Sequence, residues 1–278
     1  MNAKMKIFSY NSADTPIHRL SGLTKLICFL FLTFAVMYSY DIRVLLAVMV
    51  FSIILMRIAQ IRFSQIRLMV IYVAIFLVTN AVISFFFAPE YGVTIYGTRH
   101  EFSRVFGISL TYEQIFYQVT KLFKYASVVP LGMIFLLTTN PSEFASSLNG
   151  IGVNYKAAYA VALTLRYFPD IQRDYRDIYL AQQARGLELS KKAKFADRFK
   201  NSLLIVIPLI FSTLDRVEVI SNAMDLRGFS KGNTRTWYTR RSLSRLDALA
   251  LAASALIFLA TIGISIFINE SRFYNPFI

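Results

Sequence analysis

The sequence predicts an all-α polytopic membrane protein with about five transmembrane helices and two long amphipathic cytoplasmic helices. Three observations point there. Of 278 residues, 56% are hydrophobic and only 17% are charged, against about 25% charged in an ordinary soluble domain. The apolar residues fall into runs between charges that are long enough to cross a bilayer, and two later segments carry apolar residues at helical spacing over about 30 residues each.

A spanning helix needs about 20 mostly apolar residues, because lipid cannot hydrogen-bond an exposed peptide group and a helix satisfies its own. The gaps between charges therefore locate the spans. Lys25 to Asp41 encloses 15 uncharged residues, extended by Gly22 and Leu23 if the Lys25 stem snorkels toward the headgroups. Arg43 to Arg57 encloses 13, with Arg57 able to snorkel and the sequence staying apolar to Ile61. Arg67 to Glu90 encloses 22, Lys124 to Glu143 encloses 18, and Asp247 to Glu270 encloses 22. Five spans follow, centred near Thr33, Val50, Val78, Leu131 and Phe258.

Lys and Arg beside the spans set the orientation. The N-terminal stretch carries Lys4, Lys6, Arg19 and Lys25, and the second connection carries Arg57, Arg62 and Arg67, so both are expected in the cytoplasm. Residues 140–246 hold 17 Lys and Arg against 9 Asp and Glu and are expected on the same side. The N-terminus is then cytoplasmic, the C-terminal tail is outside, and the first span, with no small-residue cleavage site after it, is expected to be retained. The formal charge of +14 is explained by a basic cytoplasmic face against anionic lipid, not by nucleic-acid binding. The expected division is residues 1–139 as a membrane domain of about four spans, 140–246 as a cytoplasmic domain, and 247–278 as a last span with a short outer tail.

Within the cytoplasmic stretch, Asn140-Pro141-Ser142-Glu143 can start a short helix that breaks at Asn149-Gly150-Ile151-Gly152. From the N-cap candidate Asn154, a helix is predicted to Ala184 with an apolar face of Val161, Leu165, Phe168, Tyr175 and Tyr179. The next helix carries Phe199, Leu203, Val206, Ile210, Thr213, Val217, Ile220 and Met224 in steps of four and three, the seam of a helix packed along another. The first helix closes with Ala181-Gln182-Gln183-Ala184-Arg185-Gly186-Leu187 and the second with Ala223-Met224-Asp225-Leu226-Arg227-Gly228-Phe229, 42 residues later. Gly after the last turn is the ordinary left-handed stop, and a cation in the last turn suits the helix dipole. Capping does not demand the rest of the pattern. Small Ala181 and Ala223 permit close approach, Arg185 and Arg227 each offer a planar multi-donor fork, and Leu187 or Phe229 offers an apolar anchor, so each ending is shaped as a plug for a groove.

These endings, with Ile17-His18-Arg19-Leu20, Thr24-Lys25-Leu26 and Leu165-Arg166-Tyr167-Phe168-Pro169, resemble the transmembrane T component of energy-coupling factor transporters. These are prokaryotic ABC-type importers for vitamins and for nickel or cobalt ions, and the resemblance covers most of the chain. It implies that the two long helices are coupling helices, making 140–246 a coupling domain. It also implies that their Ala-Arg-Gly signatures insert into two ATPase subunits, which bind ATP and Mg²⁺. Ala184-Arg185-Gly186 matches fully; at the second site Leu226 stands where Ala is usual, before Arg227 and Gly228. A separate membrane S component would bind the substrate, and this chain would be a non-catalytic scaffold in the cell membrane.

No motif for chemistry accompanies this scaffold. There is no G-x-x-x-x-G-K-[S/T] loop, no H-E-x-x-H, C-x-x-C or G-x-S-x-G. His18 and His100 read as ordinary polar residues and Cys28 as a small apolar one at lipid depth. The deep parts of the expected spans carry no charge, and Thr79 with Asn80 reads as interhelical glue. A self-contained permease would need its own polar cavity. A lipid-modifying enzyme would need clustered acids or a nucleophile, whereas Asp174 and Asp177 read as helix-surface charges paired locally with Arg173 and Arg176.

Overall fold

The computed structural model describes residues 15–105, 108–187, 195–232, 236–238 and 241–277. Lys4 and Lys6 lie outside these. The chain forms two compact units, Met1–Glu143 with Arg241–Ile278, and Phe144–Arg240.

The first unit opens with a single turn, α1 (Pro16–Arg19), capped by Thr15, and continues into α2 (Gly22–Tyr38), capped by Ser21. Then come α3 (Ile42–Ile58), α4 (Phe63–Phe87), the short α5 (Tyr91–Tyr96) and an antiparallel hairpin of β1 (Glu101–Val105) and β2 (Ile108–Thr111). The long α6 (Tyr112–Thr138) follows, and after the second unit α10 (Arg245–Gly263) runs on into a π-helical turn over Ile264–Ile268. Among the described residues three helices, Ser64–Phe87, Tyr112–Thr138 and Arg245–Ile268, are long and apolar enough to cross a membrane. α2 and α3 have 17 residues each, roughly 26 Å of helix.

α6 is the central post, packed by α2, α3, α4 and α5, while α10 lies against α2. Leu32, Val36, Leu45, Val48 and Leu131 form one buried cluster among α2, α3 and α6, and Ile17, Ala59, Ile61, Ile66, Met133 and Leu137 form another at the end where α3 turns into α4. α6 begins well before the expected fourth span, so Lys121 and Lys124 sit within a helix. Lys124 is buried, donates to the Met37 carbonyl at 2.5 Å and lies 3.3 Å over the Tyr40 ring. The ammonium thereby serves the last turn of α2, where the helix dipole favours a cation.

The opposite end of α2 is the most polar part of this unit. Lys25 does not snorkel. It is 6% exposed and donates to the carbonyls of Thr138 at 2.8 Å and His18 at 3.3 Å, with Glu143 3.8 Å away. Glu143 in turn meets Arg241 at 3.3 Å. Asp247 accepts from the Ser21 and Ser244 backbone N–H groups, both at 2.8 Å, joining the start of α2 to the start of α10. His18 is buried, its ring Nδ1 2.7 Å from the Thr15 hydroxyl. At the far end Asp41 takes a fork from Arg43 and a bond from Asn269. Burial alone would raise its carboxyl, and these donors outweigh that and hold it below the usual carboxylate range.

The Thr79–Asn80 pair is not interhelical glue: among the described residues the buried Asn80 Oδ1 has no partner, and Thr79 is exposed. α4 buries nothing in its most apolar 18-residue window, although it packs on α6. α5 is held tightly instead. Gly92 donates to Gln114 Oε1 at 2.8 Å, and a Cβ there would stand 2.6–2.7 Å from backbone atoms of Glu113 and Gln114. Gly92→Ala is therefore expected to cost about 1–3 kcal/mol as α5 is pushed off α6. Thermal unfolding in mild detergent measures it, and an unshifted midpoint would show that α5 moves aside freely.

The second unit contains most of α7 (Pro141–Gly150), then α8 (Tyr155–Ala184) and α9 (Phe195–Leu226). α8 starts on its Asn154 cap, whose side chain accepts from the Lys156 N–H at 2.9 Å. The two long helices lie antiparallel, since Gln182 reaches the Leu204 carbonyl, Asp174 meets Arg216 at 2.6 Å, and Tyr159 meets Phe229. Asp174 thus pairs across to α9 rather than along its own helix; the local pair is Asp170 with Arg173 at 2.6 Å. The α9 seam is only partly used. Thr213, Ile220 and Met224 line the groove facing Leu163 and Tyr167 of α8, while Leu203, Val206 and Ile210 remain 38–50% exposed. The side chain of Phe199 lies outside the described ones.

Candidate functional site

Each Arg-Gly ending is built by its own backbone. At the end of α8 the Leu187 N–H reaches back to the Gln182 carbonyl at 3.0 Å and the Gly186 N–H to Gln183 at 2.9 Å, with Gly186 left-handed at φ 85°. This is the six-to-one closure that a helix makes when a residue without Cβ follows its last turn. At the end of α9 the Arg227 N–H reaches Ala223 at 3.2 Å, Gly228 N–H reaches Asp225 at 2.9 Å, and Gly228 has φ 66°. In both copies the arginine occupies the last position before the chain turns away, so its side chain projects from the helix tip.

Ala184, Arg185 and Gly186 are exposed and Leu187 is half-buried. Ala223, Leu226 and Arg227 are exposed, Leu226 at 90%, while Gly228 and Phe229 are half-buried. Among the described residues neither Arg185 nor Arg227 has a carboxylate partner. Because α8 and α9 run antiparallel, the two tips stand at opposite ends of the pair, with roughly 35 Å of helix between them.

The two tips differ in their apolar residue. Phe229 turns inward, its ring 4.7 Å from that of Tyr159 and 5.7 Å from Tyr155, while Trp237 packs 5.5 Å from Tyr155 and donates to Asn149 Oδ1 at 3.2 Å. The outward apolar group at this tip is Leu226. The internal bracing by Tyr155, Tyr159 and Trp237 was not legible in the motif, because those residues lie in sequence far from or beyond the helix they brace. Phe229→Ala is expected to cost about 1–2 kcal/mol, less than the 3–5 of a fully buried Phe, and to red-shift the fluorescence of the single Trp. An unshifted emission spectrum would show that the ring does not brace Trp237.

Residues 13–238 match the CbiQ family, described as cobalt transport protein. The chain belongs to the CbiQ cobalt transport protein family. It is 23% identical over 288 aligned positions to an energy-coupling factor transporter transmembrane protein of Streptococcus equi, covering 96% of this chain and 97% of that one. A second protein of that name, from Leuconostoc gelidum, is 30% identical over 47% of this chain and 51% of its own length. A putative ABC transporter ATP-binding protein of Bifidobacterium longum is 28% identical over 92% of this chain, which spans only 33% of that longer protein. The family and the apolar helices make this CbiQ-family chain a membrane protein, the transmembrane component of an energy-coupling factor type of ABC transporter. It is the non-catalytic kind of subunit, working with ABC ATPase partners.

Proposed function

We propose that the chain couples two ATPase subunits, one at the Arg185 tip and one at the Arg227 tip, to a separate membrane S component that binds a vitamin or a transition-metal ion. ATP and Mg²⁺ are bound, and ATP is hydrolysed, in the partner subunits. The single observation carrying this reading is the pair of exposed arginine tips, without a carboxylate partner among the described residues, at opposite ends of one antiparallel helix pair and far enough apart for two separate proteins. Each guanidinium would make a charge-assisted, bidentate contact to acceptors in an ATPase groove. Ala184 would let the groove close on the first tip. Leu187 at that tip and Leu226 at the second would supply the apolar contact, and Gly186 and Gly228 would turn the chain out of the way.

A helix resists bending, so displacement of its tip is delivered along its length. The exposed Leu203, Val206 and Ile210 on α9 are an apolar surface suited to passing that displacement to the S component. The N-terminus and both tips lie on the cytoplasmic side in this reading, where ATP is available. Purifying the chain with its native partners and weighing the intact complex tests it. Two ATP-binding chains and one small membrane protein per copy of this chain are expected; a complex without ATP-binding chains would overturn the reading.

A further inference from the structure

A groove of about 720 Å³ opens between α3, α4 and α6, within the size range of ligand-holding clefts. Its walls are apolar, with Met49, Ile53 and Met56 on α3, Val70 and Leu77 on α4, and Met133 on α6. Polar groups gather only at one end, where Arg57, Gln60 and Arg62 form the rim at the turn from α3 to α4. Among the described residues neither guanidinium has a carboxylate partner, and the lining contains no acidic residue.

The turn that carries this rim is strained. Gln60 is left-handed at φ 56°, a conformation that costs a residue with a Cβ about 1 kcal/mol or more. It is held by the Gln60 N–H on the Arg57 carbonyl at 3.0 Å and the Ile61 N–H on Met56 at 3.2 Å. The same closure that capped α8 with glycine is here made with a polar residue, and it brings two cations five positions apart to one mouth.

Depth distinguishes the possible occupants. Along α4 the groove runs from Arg62 to Leu77, roughly 22 Å, and stops well short of Phe87. One leaflet of hydrocarbon is about 15 Å thick. A transmembrane helix of a partner would need a track across the full bilayer, whereas a single acyl chain with its headgroup at the rim matches both the length and the one-ended charge.

We propose that this groove binds an anionic phospholipid, with an acyl chain between α3 and α4 and its phosphate on Arg57 and Arg62. The lipid acts as a wedge that fixes α4, the helix with nothing buried in its most apolar window, against α3 and α6. A zwitterionic lipid carries the same phosphate together with a quaternary ammonium that the two arginines repel, so the selectivity for net negative charge resides in those two arginines. The groove is built from residues of the first unit alone, and its test involves no ATPase.

The experiment uses the full chain in mild detergent, titrated with phosphatidylglycerol, with phosphatidylcholine of the same acyl chains, and with inorganic phosphate. Unfolding midpoints and lipid retention by native mass spectrometry are the readouts. Phosphatidylglycerol is expected to raise the midpoint by about 5 °C at saturation and to remain bound, with less than half that shift from phosphatidylcholine and none from phosphate. R57Q/R62Q is expected to lose the phosphatidylglycerol increment, and Ala74→Phe, which fills the groove wall, to lose retention of either lipid. Equal shifts from both lipids would overturn the proposal, as would an equal shift from phosphate or an increment that survives in R57Q/R62Q. Should R57Q/R62Q fail to fold, retention by the wild-type chain decides: equal retention of the two lipids overturns the site.

Discussion

Arg185→Glu together with Arg227→Glu is expected to abolish uptake and to strip the ATPases from the purified complex. Each reversal would place a carboxylate where acceptors already wait, and loss of one partner in a desolvated charge pair costs about 2–5 kcal/mol. At roughly 1.4 kcal/mol per tenfold, one such loss weakens one attachment by about 30-fold to several thousand-fold. A complex held at two points survives the loss of one, because the second remains at high effective concentration. Either single reversal should therefore keep measurable uptake and most of the bound ATPase, while the double variant keeps neither. Both arginines are exposed and have no carboxylate partner among the described residues, so the double variant should unfold within about 0.5 kcal/mol of wild type. Wild-type uptake by the double variant in cells would remove the docking assignment.

Lys25→Met is expected to produce the largest loss of stability. The Lys25 ammonium is buried, bonded to the Thr138 and His18 carbonyls and close to Glu143. Removing one member of a buried pair leaves the other uncompensated, at about 3–5 kcal/mol, and here two carbonyls also lose a donor. Glu143 would keep Arg241, whose side chain is 51% exposed and so contributes through water-screened attraction. The double change Lys25→Met with Glu143→Leu should be milder than Lys25→Met alone, since the buried carboxylate that would lose the Lys25 ammonium is then absent as well. Unfolding midpoints of the three variants in mild detergent give the comparison. A Lys25→Met protein that melts with the wild type would refute the buried network.

What could be read from the sequence was what local chemistry determines. The Asn154 cap, the α8 end at Ala184 and the two Arg-Gly stops all depend on residues within one turn of each other. The apolar helices were legible as gaps between charges, but that rule misplaced the start of α6. It stops at Lys124, whose charge is taken up by the end of α2, 87 positions away. The same blindness turned Lys25 from a buried tie into a snorkelling side chain. Asp174 likewise looked locally paired, because Arg216 lies on another helix. At the candidate site the arginines and glycines were legible from their repetition, while the inward turn of Phe229 was not: its aromatic neighbours Tyr155 and Tyr159 lie 74 and 70 positions earlier.

The Glu143–Arg241 ion pair lies at the root of the second unit, where the chain departs after Glu143 and returns before Arg241. It closes that long excursion into a ring. Within the first unit, Glu143 is tied through Lys25 to α2, and the returning leg leads through Arg241 into α10. Those two helices are themselves joined by Asp247 and Ser21. Both ends of the excursion are thereby moored to a joined pair of helices rather than to one alone.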